Sequence, residues 1–201
     1  MHHRRVTHLL KKQWRLLVVV GIILAGLSGV VSALLPLEYR AEADVLVISK
    51  SRYGVDPYTI VKSAERVGEN LAEIMKTDDF FEKVLANNTV EIDTSKFENV
   101  PDRVRRRRWR QSVQGEVVYG TSVLKIRTYH TDPGSASALA AATANTLASR
   151  GWEYVGGDVD IRVVNNPAVS RYPVRPNVLL NILGGFVVGV ILMGLLILRR
   201  N

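Results

Sequence analysis

The 201 residues hold no cysteine and carry 27 Lys and Arg against 19 Asp and Glu, for a net charge of +8 and a pI near 9.9. Without Cys there is no thiolate nucleophile, no Cys-held zinc and no disulfide framework. The positive excess sits at the ends, with Arg4, Arg5, Lys11, Lys12 and Arg15 before one long apolar run and Arg199 and Arg200 after another; every acidic residue lies between the runs. A basic pI of that origin says little for nucleic acid, and no such partner is expected.

Residues 16–35 are uncharged. At ~1.5 Å rise per residue they make a helix of ~30 Å, the thickness of a bilayer's hydrocarbon core. This is the first expected transmembrane helix. The basic residues 1–15 mark a cytoplasmic flank, because short cytoplasmic segments collect Lys and Arg. A signal peptide is the competing reading, since Ala41-Glu42-Ala43 resembles a cleavage site. The apolar run is longer than the ~7–15 residues of a signal core, and Ala43 lies well past its end.

Residues 36–165 read as an α+β domain on the extracytoplasmic side. Residues 40–49 alternate and then turn apolar, a strand entering a buried sheet. Residues 51–57 form a turn-rich break. Asp56-Pro57 starts a helix, Asp as acceptor for free N–H groups and Pro at the first helical position. Val61, Ala64, Val67, Leu71 and Met75 make its apolar face, with Glu65, Arg66, Glu69 and Glu73 off it. Thr77-Asp78 caps a second short helix over 79–85, and residues 90–92 suggest a short strand. Pro101 opens a polar helix to about Val113. Residues 116–129 alternate as a strand, with a bulge or turn at Gly120-Thr121. Asp132-Pro133 repeats the helix-start signal for an Ala-rich helix over 133–150, which Gly151 can end. Residues 158–164 are the last strand. Helices on one side of a small sheet are the expected arrangement.

Residues 166–177 form a connector in which Pro167, Pro173 and Pro176 fix φ and remove donors, favouring a stiff extended path. Residues 178–198 are the second charge-free run and second expected transmembrane helix, leaving 199–201 as a short cytoplasmic tail. Ala25 and Gly29 in the first helix, and Gly185 and Gly189 in the second, each place two small residues on one face, a pattern for close helix packing. Asn181 can hydrogen-bond across helices or sit at the membrane interface.

The most unusual local feature is the cluster Arg103, Arg105, Arg106, Arg107, Arg108 and Arg110 around Trp109. Positions 103, 106/107 and 110 share one helix face. Like charges this dense repel unless solvated or paired. Three readings stand: a solvated face, pairing with another subunit or lipid headgroups, or glycan contact. In the last, Arg holds acidic groups and Trp stacks on a sugar. His2, His3 and His8 have no acidic neighbours, and His130 stands alone in a turn. The carboxylate pairs Asp78/Asp79 and Asp158/Asp160 belong to a helix cap and a strand. No catalytic constellation, cofactor or metal site is expected.

Three features together resemble the polysaccharide co-polymerases, the Wzz-type chain-length-determinant proteins. They are Tyr39-Arg40-Ala41-Glu42-Ala43 leading into a strand past the first membrane helix; a strand followed by Asp132-Pro133 and an Ala-rich helix with Ala144-Asn145; and the proline run from Asn166 to Asn177 before the second membrane helix. The resemblance implies a non-catalytic regulator of glycan chain length in the bacterial inner membrane. It would be a ring-like homo-oligomer acting beside a glycan polymerase on nascent polysaccharide, in contact with membrane lipids. Some members are fused to a cytoplasmic tyrosine kinase or activate a separate one. These residues contain no G-x-x-x-x-G-K-[ST] loop, so the short form without kinase domain is expected, with a separate kinase as a candidate partner. The alternative class is a two-pass sensor or receptor subunit whose domain binds a ligand.

Overall fold

The computed structural model describes residues 13–49, 56–87, 92–156 and 159–200. It divides into two units, Glu38–Pro173 and a second drawn from Met1–Leu37 and Val174–Asn201.

In the first unit the central strand is β1 (Tyr39–Ser49). Its alternate residues Ala41, Ala43, Val45 and Val47 are buried. That two-residue period marks a sheet covered on one face. The strand β3 (Val123–His130) pairs antiparallel along one side of β1, and β2 (Val113–Val117) pairs outside β3. On the other side of β1 two pieces lie end to end. β4 (Val159–Val163) runs against residues 45–49, and β5 (Ala168–Val169) against Ala41 and Glu42.

Two long helices, α2 (Pro57–Ile74) and α5 (Pro133–Arg150), cover the apolar face of this sheet. Gly115 of β2 permits the close approach of α2, since a Cβ there would stand 3.1 Å from both Ala72 Cβ and Met75 Sδ. The other sheet face is charged. Glu42 opposes Arg127 and Asp44 opposes Lys125, with N–O separations of 3.2 and 3.9 Å, and Arg127 also pairs with Glu116. Opposite charges facing each other across strands keep that face solvated and in register.

The helix starts follow from local chemistry. Asp56 Oδ2 accepts from the Thr59 N–H at 3.3 Å, and Asp132 Oδ2 from the Ser135 N–H at 2.6 Å, each with Pro next in the chain. The Ser135 N–H holds the Asp132 carboxyl below the usual carboxylate range. Thr77 caps α3 (Asp78–Ala86) by accepting from the Phe80 N–H. A four-residue turn, α6 (Trp152–Val155), follows α5. Lys83 of α3 reaches both Asp79 and Glu153, and the Tyr154 hydroxyl donates to Asp79. Hydrogen bonds from Tyr154 and Lys83 lower the Asp79 carboxyl, and the bond to Glu153 leads in raising Lys83.

Several sequence expectations change. Glu65 belongs to the buried side of α2, because Lys62 reaches its carboxylate at 2.9 Å. The alternative of a turn at Gly120-Thr121 holds, and it divides residues 116–129 into the end of β2 and β3; β2 begins earlier than expected, at Val113, where the preceding helix stops. Gly151 keeps a helical φ of −60° and serves close packing, with its would-be Cβ 2.4 Å from Ile161 Cδ1. The left-handed glycine stands later, at Gly156 with φ +89°. Of the expected strand at 90–92, residues 90 and 91 lie outside the described residues, and Ile92 is not in a strand. The break at 51–55 and Asp158 also lie outside them.

The second unit is a pair of helices, α1 (Trp14–Leu34) and α7 (Val178–Arg200). They run antiparallel, with Gly29 facing Ile182, Ala25 facing Gly185 and Gly21 facing Gly189. Their outer sides expose Ile22, Ile23, Leu27, Leu183, Val187 and Leu195. Both are long and apolar enough to cross a bilayer. Two such terminal helices with apolar outer sides fit a two-pass membrane protein.

Candidate functional site

The arginine cluster forms α4 (Asp102–Ser112), which runs straight into β2. One side chain anchors it. Trp109 is 1% exposed and packs edge-on against Phe81 and Phe97, with ring centroids 5.0 and 5.8 Å away. Its indole Nε1 donates to the Met75 carbonyl at 2.7 Å, at the end of α2. Trp109 is therefore core, and both its faces and its polar atom are spent inside the domain. The idea that it stacks on a sugar does not survive this placement.

The arginines divide into two groups. Arg105 pairs with Asp102 at 3.1 Å and lies over the Phe81 ring; Arg108 donates to the Lys96 carbonyl at 2.7 Å. These two fasten α4 to the domain. Arg103, Arg106, Arg107 and Arg110 are exposed and line one open groove of about 590 Å³. Arg106 meets Asp78 at 2.5 Å, and Arg110 makes only a long 3.5 Å bond to the Lys76 carbonyl. Among the described residues, no carboxylate pairs with Arg103, Arg107 or Arg110. A second groove of about 470 Å³ shares Arg110 and continues along Lys76, Gln114, Glu116 and Arg127.

The connector's prolines are separated by structure. Residues 168–169 are strand β5, so Pro167 stands between two sheet pieces rather than in a free linker. The edge is closed by Ser170, whose N–H donates to the Arg40 carbonyl at 2.7 Å while its Oγ accepts from the Arg40 N–H at 3.0 Å. Pro173 and Pro176 fall in the remaining stretch before α7. Sequence periodicity missed β5 because two residues are too few to show a period.

The small residues of the membrane helices meet within the chain. A Cβ on Gly185 would stand 2.8 Å from both the Leu24 carbonyl oxygen and Ser28 Cβ, and one on Gly189 would stand 2.8 Å from Gly21 Cα. Nearby, Ser28 Oγ donates to the Asn181 carbonyl at 2.8 Å, and Asn181 Nδ2 donates to Ser32 Oγ at 2.7 Å. Asn181 thus bonds across the helices.

His130 is buried. Its Nδ1 accepts from the Asp132 N–H at 3.2 Å, and Nε2 lies 3.6 Å from Asp93. Among the described residues no group of His, Asp or Glu is arranged to hold a metal. His2, His3 and His8 lie outside them.

Residues 4–88 match the family model Wzz, described as chain length determinant protein. Over this stretch the chain is similar to the chain length determinant proteins. No curated protein matches the chain. The Wzz region takes in α1, β1, α2 and α3, and it stops before α4, the connector and α7. The match supports a chain-length-determinant role in polysaccharide biosynthesis, in association with that machinery.

Proposed function

We propose that this protein is a non-catalytic regulator of polysaccharide chain length. It works in a bacterial cytoplasmic membrane as a ring-like homo-oligomer beside a glycan polymerase. Both termini face the cytoplasm, and the α+β unit faces outward, where nascent glycan is extended. The Wzz match over residues 4–88 carries the reading. The two apolar helices bracketing one mixed sheet-and-helix unit support it, as does the basic bias of the chain ends. The exposed arginines of α4 and the proline connector are its candidate contact and coupling elements.

Deleting the gene tests the function. The expected result is a changed length distribution of surface glycan on gels, with sugar incorporation retained. An unaltered distribution would remove the regulator reading. Orientation is checked in the same strain with single cysteines, since the chain has none of its own. Ser95→Cys should react with an impermeant thiol reagent in spheroplasts, and Thr7→Cys only after permeabilisation.

A further inference from the structure

The groove on α4 is short of counter-charge. Four arginines line it, and among the described residues only Arg106 has a carboxylate partner. The acidic residue in the lining, Asp102, is taken by Arg105 on another side of the helix. Arg103, Arg107 and Arg110 follow at four- and three-residue steps, a row about 10 Å long on one side of α4. Like charges at these spacings cost helix stability. The fold tolerates that cost because Trp109 anchors the opposite side in the core. Among the described residues the row makes no ion pair within the domain, and Arg110 adds the long bond to the Lys76 carbonyl.

We infer that this groove binds an acidic polysaccharide, one whose sugars bear carboxylates. The inference rests on the chain-length reading above and names the class of glycan. A guanidinium matches a carboxylate with two parallel hydrogen bonds. Arginines projecting from one helix side do not converge on a single point, so they suit charges repeated along a polymer better than one small anion. Beyond Arg110 the second groove holds paired cations, Lys76 with Glu73 and Arg127 with Glu42 and Glu116, so the row Arg103, Arg107 and Arg110 is itself the track. Each exposed contact is weak, and several along one chain add up while leaving the polymer free to move on. A membrane surface is the competing occupant. An amphipathic helix lying in a membrane inserts an apolar face, and this lining has none, only Asp102 and Gln111 beside the arginines, so a membrane would be held here by charge alone.

The test uses the full chain in nanodiscs of phosphatidylcholine, titrated with polygalacturonate oligomers and with dextran of equal length. Saturable binding of polygalacturonate, weakened by salt, with none for dextran, is expected. The triple change Arg103→Gln, Arg107→Gln, Arg110→Gln should weaken that binding about tenfold without lowering the melting temperature. Should the triple variant misfold, Arg107→Glu alone carries the same test at an exposed position. Equal affinity for dextran, no binding, or undiminished binding by the variants overturns the inference. So does binding to phosphatidylglycerol vesicles but not to polygalacturonate, which would make the groove a lipid contact. Gene deletion separates the two ideas. A length change with no polyanion binding leaves the regulator reading and removes this one; binding without a length change does the reverse.

Discussion

At the scale of single residues, Trp109 and Arg107 are near neighbours in sequence with opposite roles. Burying the indole against Phe81 and Phe97 removes a large apolar surface from water, and its N–H finds the Met75 carbonyl. Trp109→Ala should cost about 3–5 kcal/mol, a cavity-forming loss at a packed site. Arg107→Ala should stay within about 0.5 kcal/mol, since its side chain is exposed and unpaired among the described residues. Thermal unfolding of the two variants in the same nanodiscs checks this; equal stabilities would mean that the indole is not an anchor. The density of arginine from 103 to 110 was legible in sequence. Which of them face outward was not, because Asp78, Lys96 and the Phe81 ring come from segments brought alongside only by folding.

Among elements, the antiparallel pair α1 and α7 shows how small residues are spent. Gly185 lets the backbones approach until a Cβ would collide with Leu24 and Ser28. Asn181 closes the same region through Ser28 and Ser32. In the Cys-free chain, the pair Ser32→Cys and Asn181→Cys should form a disulfide readily on mild oxidation in membranes. Adding Gly185→Leu should cut its yield by roughly half or more, because cross-linking demands a Cα separation under about 7 Å. Undiminished cross-linking would show that the helices meet on another face. The spacing of Ala25, Gly29, Gly185 and Gly189 showed that something packs closely there. The partner helix is this chain's own, and only the paired structure says so.

For the whole molecule, the strand β5 and the Arg40–Ser170 bonds fasten the chain to the sheet edge as far as Ser170, and α7 begins at Val178. Residues 171–177 join them, with Arg175 in an isolated β-bridge and Pro173 and Pro176 fixing φ on either side of it. Replacing both with Ala releases about 0.4–1 kcal/mol of pre-ordering at each position. The expected outcome is intact expression and membrane insertion with an altered glycan length distribution. A distribution identical to wild type, with normal protein levels, would show that connector stiffness is not used.

Sequence alone determined the bracketing apolar helices, the caps at Asp56, Thr77 and Asp132, the main strands and the Wzz resemblance. Length, hydropathy, charge and capping chemistry are local, and each is written within a few residues. Tertiary structure alone decided that Glu65 is buried, that Gly151 serves packing, that the connector begins with a strand, and that Trp109 faces inward while Arg103, Arg107 and Arg110 face out. Each of these depends on a partner distant in sequence: Ile161 for Gly151, Ala41 and Glu42 for β5, Met75 and Phe81 for Trp109. Glu65 is the exception in distance but not in kind. Its partner Lys62 is three residues away, yet burial of the Glu65 carboxylate depends on how α2 lies against the sheet.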